Sequence, residues 1–198
     1  LAADDRRRMT GLANRLWHTD ASFVDPPGRY SLLSARVIPP VRADTEFADM
    51  RAAYDDLDAA TKAEIKDMIC EHSLMYSRGS LGFLDFTDEE KKMFKPVRQS
   101  LVRTHPVTGR KSLYLSSHAG TILGMTMPEA RILLRDLTDH ATSPKYVYSH
   151  KWQLHDFVMW DNRQVLHRVR RYDASQPRDM RRTTVAGDAM TAKQAEAA

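Results

Sequence analysis

Three residues carry the types and spacing that a metal centre needs. His18 and Asp20 form a His-x-Asp pair, and in an extended segment residues i and i+2 project to the same side, so both can reach one ion. A further histidine, His167, ends a short apolar stretch far along the chain. Two imidazoles and one carboxylate make the facial triad of non-haem Fe(II) oxygenases, which leaves coordination positions open for oxygen chemistry. The His-x-Asp pair alone is weak evidence, because a satisfied polar turn has the same pattern.

Two arginines behind His167 offer positive charge for an anionic ligand. Arg178 follows His167 after eleven positions, and Arg182 follows four positions later. A guanidinium can bind a carboxylate through two parallel hydrogen bonds, and positions i and i+4 share one face of a strand. On their own these arginines fit a solvated basic surface equally well. Together with His167 they favour an anion-binding site beside a metal.

The composition is that of an ordinary globular domain. The chain has 198 residues, of which 42% are hydrophobic and 28% charged, which is enough for one sizeable core. No apolar run approaches the roughly 20 residues that cross a bilayer, and the basic start lacks the apolar core of a signal peptide. We therefore expect no membrane partner.

Charge and cysteine content narrow the class further. The net charge is +4, but the arginines are scattered and no nucleic-acid-binding motif accompanies them. A small anionic ligand is therefore expected rather than nucleic acid. The single cysteine, Cys70, excludes an internal disulfide and favours the reducing cytoplasm.

Short strand patterns outnumber helical ones along the chain. Apolar and β-branched runs predict strands at 30–38, 97–104, 111–116, 146–148, 157–160, 164–169 and 182–186. Helical spacing predicts helices at 45–54, 60–71, 88–94 and 128–140. Residues 73–86 have no clear period and are interpreted as a loop that could act as a lid. Many short strands with a few helices favour a β-sandwich or barrel with helical insertions.

Four motifs in the chain occur together in one known family. They are Trp17–Phe23, Ser34–Pro40, Asp44–Met50 and Val158–Arg163. In this order and spacing they resemble the taurine/2,4-D dioxygenase family, most of all its 2,4-dichlorophenoxyacetate dioxygenases, from about Asn14 to Asp188. The resemblance implies a mainly β fold with helical insertions, a double-stranded β-helix or jelly roll. It also implies a single catalytic domain over residues 1–198 that lacks the N-terminal portion of the family.

The resemblance assigns roles to individual residues. Its metal ligands match His18, Asp20 and His167, which would hold Fe(II). Its 2-oxoglutarate-binding residues match Thr45 and Arg178. Its arginine facing the anionic group of the substrate matches Arg182, and a histidine near the substrate matches His105.

The function implied is that of a 2-oxoglutarate-dependent non-haem iron dioxygenase. With Fe(II), 2-oxoglutarate and O2 it would hydroxylate the carbon beside the ether oxygen of an aryloxyacetate such as 2,4-dichlorophenoxyacetate. The products would be a phenol and glyoxylate, with succinate and CO2. The partner expected is thus a small anionic aromatic substrate, and the family also implies a homo-oligomer.

Three alternatives stay open at this point. Taurine-type sulfonate dioxygenases and aryloxypropionate dioxygenases act on other anions that Arg182 would serve equally well. A jelly-roll binding protein without catalysis is the alternative from another class. A broken triad or a missing arginine would indicate such a protein, and the sequence shows neither.

Overall fold

The computed structural model describes residues 5–41 and 43–195. In that part the chain forms eleven strands and six α-helices. The strands are β1 (Gly28–Val37), β2 (Thr45–Asp49), β3 (Ile69–His72), β4 (Val97–Ser100), β5 (Val102–Thr104), β6 (Lys111–Leu113), β7 (Ala119–Ile122), β8 (Val147–His150), β9 (Phe157–Asp161), β10 (Val165–Val169) and β11 (Asp179–Ala186). The helices are α1 (Arg6–Ala13), α2 (Met50–Asp55), α3 (Ala59–Ile65), α4 (Leu74–Gly79), α5 (Asp88–Met93) and α6 (Met127–Ala141). The expectation of a mainly β chain is confirmed, and the strands pair antiparallel.

Two three-stranded sheets face each other. One has the order β11-β1-β9 and the other β10-β2-β8. Phe47 of β2 packs against Trp160 of β9 with ring centroids 5.3 Å apart, and His167 of β10 lies 4.7 Å from the same indole ring. Side chains that point into the space between these sheets therefore meet residues from distant parts of the chain.

The main apolar core lies against a third sheet, with the order β4-β3-β7, and the β5-β6 hairpin. Helix α6 contributes Leu134 and Leu137 to this core, and α2 contributes Met50. The start of α6 is set by a capping box, in which the Thr126 N–H donates to the Glu129 carboxylate at 3.1 Å. The predicted helix over 128–140 is therefore confirmed.

Two helix predictions are wrong in part. In each, apolar residues at helical spacing belong to a segment that forms a strand of a sheet. The sequence predicts one helix over 45–54, but residues 45–49 form β2 and only the remainder is helical. The predicted helix over 60–71 ends at Ile65, and β3 follows it. Both strands are central in their sheets, so ladder hydrogen bonds on two edges override the local preference.

The predicted loop over 73–86 contains helix α4. The Ser73 hydroxyl caps this helix by accepting from the Tyr76 N–H at 3.1 Å. Strand β7 was not predicted from the sequence at all. In the described part of the chain, no helix combines the length and apolar character needed to span a bilayer.

Candidate metal centre

His18, Asp20 and His167 converge on one buried point. His18 Nε2 lies 3.8 Å from Asp20 Oδ1, and His167 Nε2 lies 3.5 Å from Asp20 Oδ2. One possible ligand atom from each residue lies within 4.8 Å of the other two. All three side chains are buried. The structure thus brings together the three metal ligands that the sequence predicts.

The two imidazoles have the protonation state that a metal requires. His18 Nδ1 lies 2.7 Å from the Leu16 carbonyl oxygen, and because a carbonyl only accepts, Nδ1 carries the proton and Nε2 keeps its lone pair. Burial lowers the pKa of His18, and it lowers the pKa of His167 to about 3. Both rings are therefore neutral near pH 7, as metal ligation demands.

The third ligand, Asp20, is held as a carboxylate. Burial by itself would raise its pKa, but the combined effect of His167, His18, Arg182 and the Ser31 hydrogen bond lowers the pKa below its usual value. The Ser31 hydroxyl donates to Oδ2 at 2.7 Å. Arg182 Nη1 donates to Oδ1 at 2.8 Å. Two buried imidazoles and a charged carboxylate are a donor set that fits Fe(II).

A hydrogen-bonded chain behind Asp20 fixes its orientation. The Trp160 indole N–H donates to Asn162 Oδ1 at 3.1 Å, and Asn162 Nδ2 donates to Ser31 Oγ at 2.9 Å. Asn162 Oδ1 also accepts from the Asp20 N–H at 3.3 Å. Neither Asn162 nor Ser31 was predicted from the sequence as a site residue. Asn162 lies inside the Val158–Arg163 motif, which is a signal that could have found it, whereas no pattern marks Ser31.

A cavity of about 230 Å³, here called cavity one, adjoins the triad between the two facing sheets. Its lining residues are Asn14, His18, Leu33, Thr45, Trp160, His167, Val169, Arg178, Met180 and Arg182. The predicted co-substrate residues Thr45 and Arg178 therefore face the same space as the metal ligands. Arg182 lines it too, in agreement with the expected common face of the two arginines.

Cavity one presents donors suited to a carboxylate. Arg178 is half-buried, its Nε has no hydrogen-bond partner among the described residues, and burial lowers its pKa. The Trp152 indole N–H donates to Thr45 Oγ1 at 2.9 Å, so the hydroxyl proton of Thr45 stays available to donate. The Arg178 guanidinium lies over the Tyr172 ring, 5.4 Å from its centroid, and forms no ion pair with a carboxylate of the described residues. Such a guanidinium with a nearby hydroxyl donor is an arrangement that can bind a carboxylate group. Trp152 was not among the site residues predicted from the sequence.

A smaller cavity of about 140 Å³, here called cavity two, also borders His18. Its lining residues are Thr10, Ala13, Asn14, His18, Asp20, Ala21, Phe23, Arg78, Ser117, His118, Arg182 and Thr184. Arg182 borders both cavities, and its side chain is 47% exposed. Both cavities therefore adjoin the candidate metal ligands.

His105, the predicted substrate-side histidine, is placed elsewhere. Its Nε2 lies 3.2 Å from Asp161 Oδ2, and its Nδ1 accepts from the Thr108 N–H at 3.2 Å. It is not among the described residues that line either cavity. In this structure its contacts are those of a residue that anchors a turn.

The sequence matches a known family profile described as "Taurine catabolism dioxygenase TauD, TfdA family", over residues 1–184. The chain belongs to this family. The resemblance drawn from the four sequence motifs is thereby confirmed.

Individual members of the TauD, TfdA family show how similar the chain is to known proteins. It is 49% identical over 185 residues to the alpha-ketoglutarate-dependent 2,4-dichlorophenoxyacetate dioxygenase of Burkholderia sp. (strain RASC), covering 93% of this chain and 62% of that protein. It is 40% identical over 182 residues to the (S)-phenoxypropionate/alpha-ketoglutarate-dioxygenase of Sphingobium herbicidovorans, covering 88% of this chain and 63% of that protein. The chain therefore spans less than two thirds of either relative.

A solved structure is closer still. The crystal structure of AAD-2 in complex with Mn(II) and N-oxalylglycine matches with a TM-score of 0.95 and 68% sequence identity. The match covers 98% of this chain and 70% of that one.

Proposed function

We propose that this chain carries the metal and co-substrate sites of an Fe(II)- and 2-oxoglutarate-dependent dioxygenase that acts on aryloxyacetates such as 2,4-dichlorophenoxyacetate. The observation that carries the proposal is the buried cluster of His18, Asp20 and His167 beside a cavity that contains Thr45 and Arg178. Bound Fe(II) would supply O2 activation, coupled to oxidation of 2-oxoglutarate to succinate and CO2. The identity to a 2,4-dichlorophenoxyacetate dioxygenase supports the substrate class.

Arg178 and Thr45 would hold the far carboxylate of 2-oxoglutarate. The unpartnered Arg178 Nε and the free hydroxyl proton of Thr45 are the donors that face cavity one. A partly buried guanidinium without a carboxylate partner loses hydration on folding, and a dicarboxylate ligand would compensate for that loss. The metal would be held where cavity one meets the triad, by neutral His18, neutral His167 and charged Asp20.

The overall reaction would insert one oxygen atom from O2 into the C–H bond beside the ether oxygen. The other oxygen atom would enter succinate. The resulting hemiacetal breaks its bond to the aryl ether oxygen, and the hydroxyl proton moves to that oxygen, which yields a phenol and glyoxylate. The chain's part is to aim that carbon at the metal, with Arg182 as the residue that the family resemblance places near the substrate anion. His105 stays a prediction from the resemblance.

The fold class supports the same family. We infer that the facing sheets β11-β1-β9 and β10-β2-β8 are the two layers of a double-stranded β-helix, because their strands run antiparallel and enclose the site. The homo-oligomer and the cytoplasmic location stay predictions.

A second candidate is dioxygenation of an aryloxypropionate. The 40% identity to an (S)-phenoxypropionate/alpha-ketoglutarate-dioxygenase favours it. The two substrate classes differ by one methyl group on the reacting carbon, and such a difference typically changes transition-state binding by only about 1–3 kcal/mol.

The test is an assay of the protein with Fe(II), 2-oxoglutarate and O2 against phenoxyacetate, 2,4-dichlorophenoxyacetate, both phenoxypropionate enantiomers and taurine. We expect succinate and phenol in equal amounts with the aryloxyacetates. Faster turnover of a phenoxypropionate would favour the second candidate, and sulfite from taurine would favour a sulfonate dioxygenase.

A separate pair of variants tests the assignment of His167 as a metal ligand. His167→Ala should abolish Fe(II)-dependent succinate formation, whereas His140→Ala, whose imidazole contacts the Ala53 carbonyl oxygen instead, should retain it. Succinate formation by the His167→Ala protein at the wild-type rate would show that the metal lies elsewhere.

A further inference from the structure

Cavity two has two arginines in its lining, and one of them is already engaged. Arg182 Nη1 donates to Asp20 Oδ1 at 2.8 Å, and Asp20 is 6% exposed. Arg182 thus compensates the charge of a buried metal-ligand carboxylate. A guanidinium held in that ion pair has less of its charge to offer to a second anion.

The other arginine, Arg78, is differently placed. It is half-buried on α4, and its Nη1 lies 3.3 Å from Ser77 Oγ. No carboxylate of the described residues forms an ion pair with it, and burial lowers its pKa. Burying a cation without a counter-charge is unfavourable unless a ligand supplies that charge.

The rest of cavity two suits an aromatic anion. The Phe23 ring contacts the His118 ring with centroids 4.7 Å apart. Burial lowers the pKa of His118 well below its usual value, so this ring is neutral. Arg78 and Arg182 are therefore the charged donors among the described lining residues that could meet a carboxylate.

The backbone holds Arg78 in position. The Ser73 N–H, at the start of α4, donates to the His118 carbonyl oxygen at 2.8 Å. The Tyr76 ring lies so close over Gly120 of β7 that an added Cβ would come within 2.8 Å of Tyr76 Cγ. Helix α4 is thereby packed directly on the strand that follows His118, and the guanidinium is presented to the cavity by a fixed element.

We propose that Arg78 is a further residue, beside Arg182, that binds the carboxylate of the aryl ether substrate in cavity two. This inference rests on the proposed function, because it assigns the substrate anion of that same site. It makes α4, in the segment interpreted from sequence as a loop, part of the substrate-selecting wall.

The test measures binding and turnover separately. Phenoxyacetate and its neutral amide, phenoxyacetamide, are titrated calorimetrically into the Fe(II)- and 2-oxoglutarate-loaded protein without O2. The variants are Arg78→Gln, Arg78→Lys and, as the matched control, Arg131→Gln. Arg131 stacks on the other side of α4, 5.2 Å from the centroid of the Tyr76 ring, and does not line cavity two.

We expect Arg78→Gln to weaken phenoxyacetate binding about 10- to 100-fold, the loss typical of a charged hydrogen bond. Arg78→Lys should weaken it less, and phenoxyacetamide binding should not change. The KM for 2-oxoglutarate should also stay within twofold of wild type, because Arg78 does not line cavity one.

Two results would overturn the Arg78 assignment. One is unchanged phenoxyacetate affinity in folded Arg78→Gln and Arg78→Lys proteins, and the other is no phenoxyacetate binding by the wild-type protein. Wild-type binding that depends on Arg78 but gives no succinate or phenol with O2 would instead uphold Arg78 and overturn the proposed function.

Discussion

The main chains of His18 and His167 are paired directly, each N–H donating to the carbonyl oxygen of the other at 3.0 Å. This bridge brings the two imidazole ring centroids to 4.2 Å. Two of the three candidate ligands are therefore held side by side by backbone hydrogen bonds.

Metal removal should leave the fold intact. Since the backbone bridge and the hydrogen bonds of Asp20 hold the ligands, treatment with EDTA should abolish succinate formation without changing the far-UV circular dichroism. Fe(II) should then restore activity in full. Loss of secondary structure on chelation would show that the metal, rather than the bridge, organises the site.

Asn162→Ala should weaken metal binding. The variant removes the acceptor of Trp160 and the donor to Ser31, so the Asp20 carboxylate loses its support. Loss of such an outer hydrogen bond typically weakens metal affinity about 10- to 100-fold. Unfolding in urea should show a loss of about 1–3 kcal/mol, because buried polar groups are left without partners.

Ser31→Ala should show the same weakening of Fe(II) affinity, measured by equilibrium dialysis. The surface variant Ser149→Ala is the control for replacing a serine, since Ser149 is exposed. If Asn162→Ala and Ser31→Ala bind Fe(II) as tightly as the Ser149→Ala control, the hydrogen bonds through Asn162 and Ser31 do not orient Asp20.

Trp152→Phe should weaken 2-oxoglutarate binding through Thr45. The variant keeps an aromatic ring but removes the N–H that donates to Thr45 Oγ1, so the hydroxyl is no longer oriented. We expect the KM for 2-oxoglutarate to rise about 5- to 10-fold, the equivalent of one neutral hydrogen bond.

Thr45→Val combined with Trp152→Phe supplies the control for this pathway. If Trp152 acts through Thr45, the double variant should raise the KM no more than Thr45→Val alone. Additive effects would show that Trp152 acts by another route, such as packing.

Asp161 should stabilise the fold in a pH-dependent way. Burial would raise its pKa, but hydrogen bonds from Arg163, one of them 2.6 Å long, lower it from 3.8 to about 2. A folded pKa below the unfolded value means that the stabilisation is complete well above pH 4 and disappears as the pH falls towards 2. Asp161→Asn should therefore lower the free energy of unfolding by about 2 kcal/mol at pH 7.

The pH series of urea unfolding checks that assignment. The difference between Asp161→Asn and wild type should narrow between pH 4 and pH 2, whereas Asp136→Asn, in an exposed pair with Arg135, should have little effect at any pH. A difference that stays constant down to pH 2 would contradict the lowered pKa.

Cys70 should be unreactive in the folded protein. Its side chain is fully buried on β3, and burial raises the pKa of the thiol to about 12. Because the thiolate is the reactive form, iodoacetamide at pH 8 should label it only after unfolding in urea. Mass spectrometry measures the alkylation of Cys70. Rapid alkylation in the native protein would contradict the prediction that the buried thiol is unreactive.

The sequence by itself was enough to predict the candidate metal ligands and the candidate co-substrate and substrate residues. His18, Asp20 and His167 are recognisable by type and spacing. Thr45 lies in a family motif, and Arg178 and Arg182 follow from the family resemblance and their distance from His167. These residues were predictable because each lies in a short segment whose pattern is local.

Tertiary structure alone decided the secondary structure of residues 45–49 and 69–72. Local spacing there resembles a helix, but neighbouring strands from distant positions supply hydrogen bonds on both edges. It also decided that Ser31 supports Asp20 and that Arg78 faces the metal ligands. The physical reason is that a buried polar contact depends on which distant segments pack together, and single-chain periodicity carries no record of that packing.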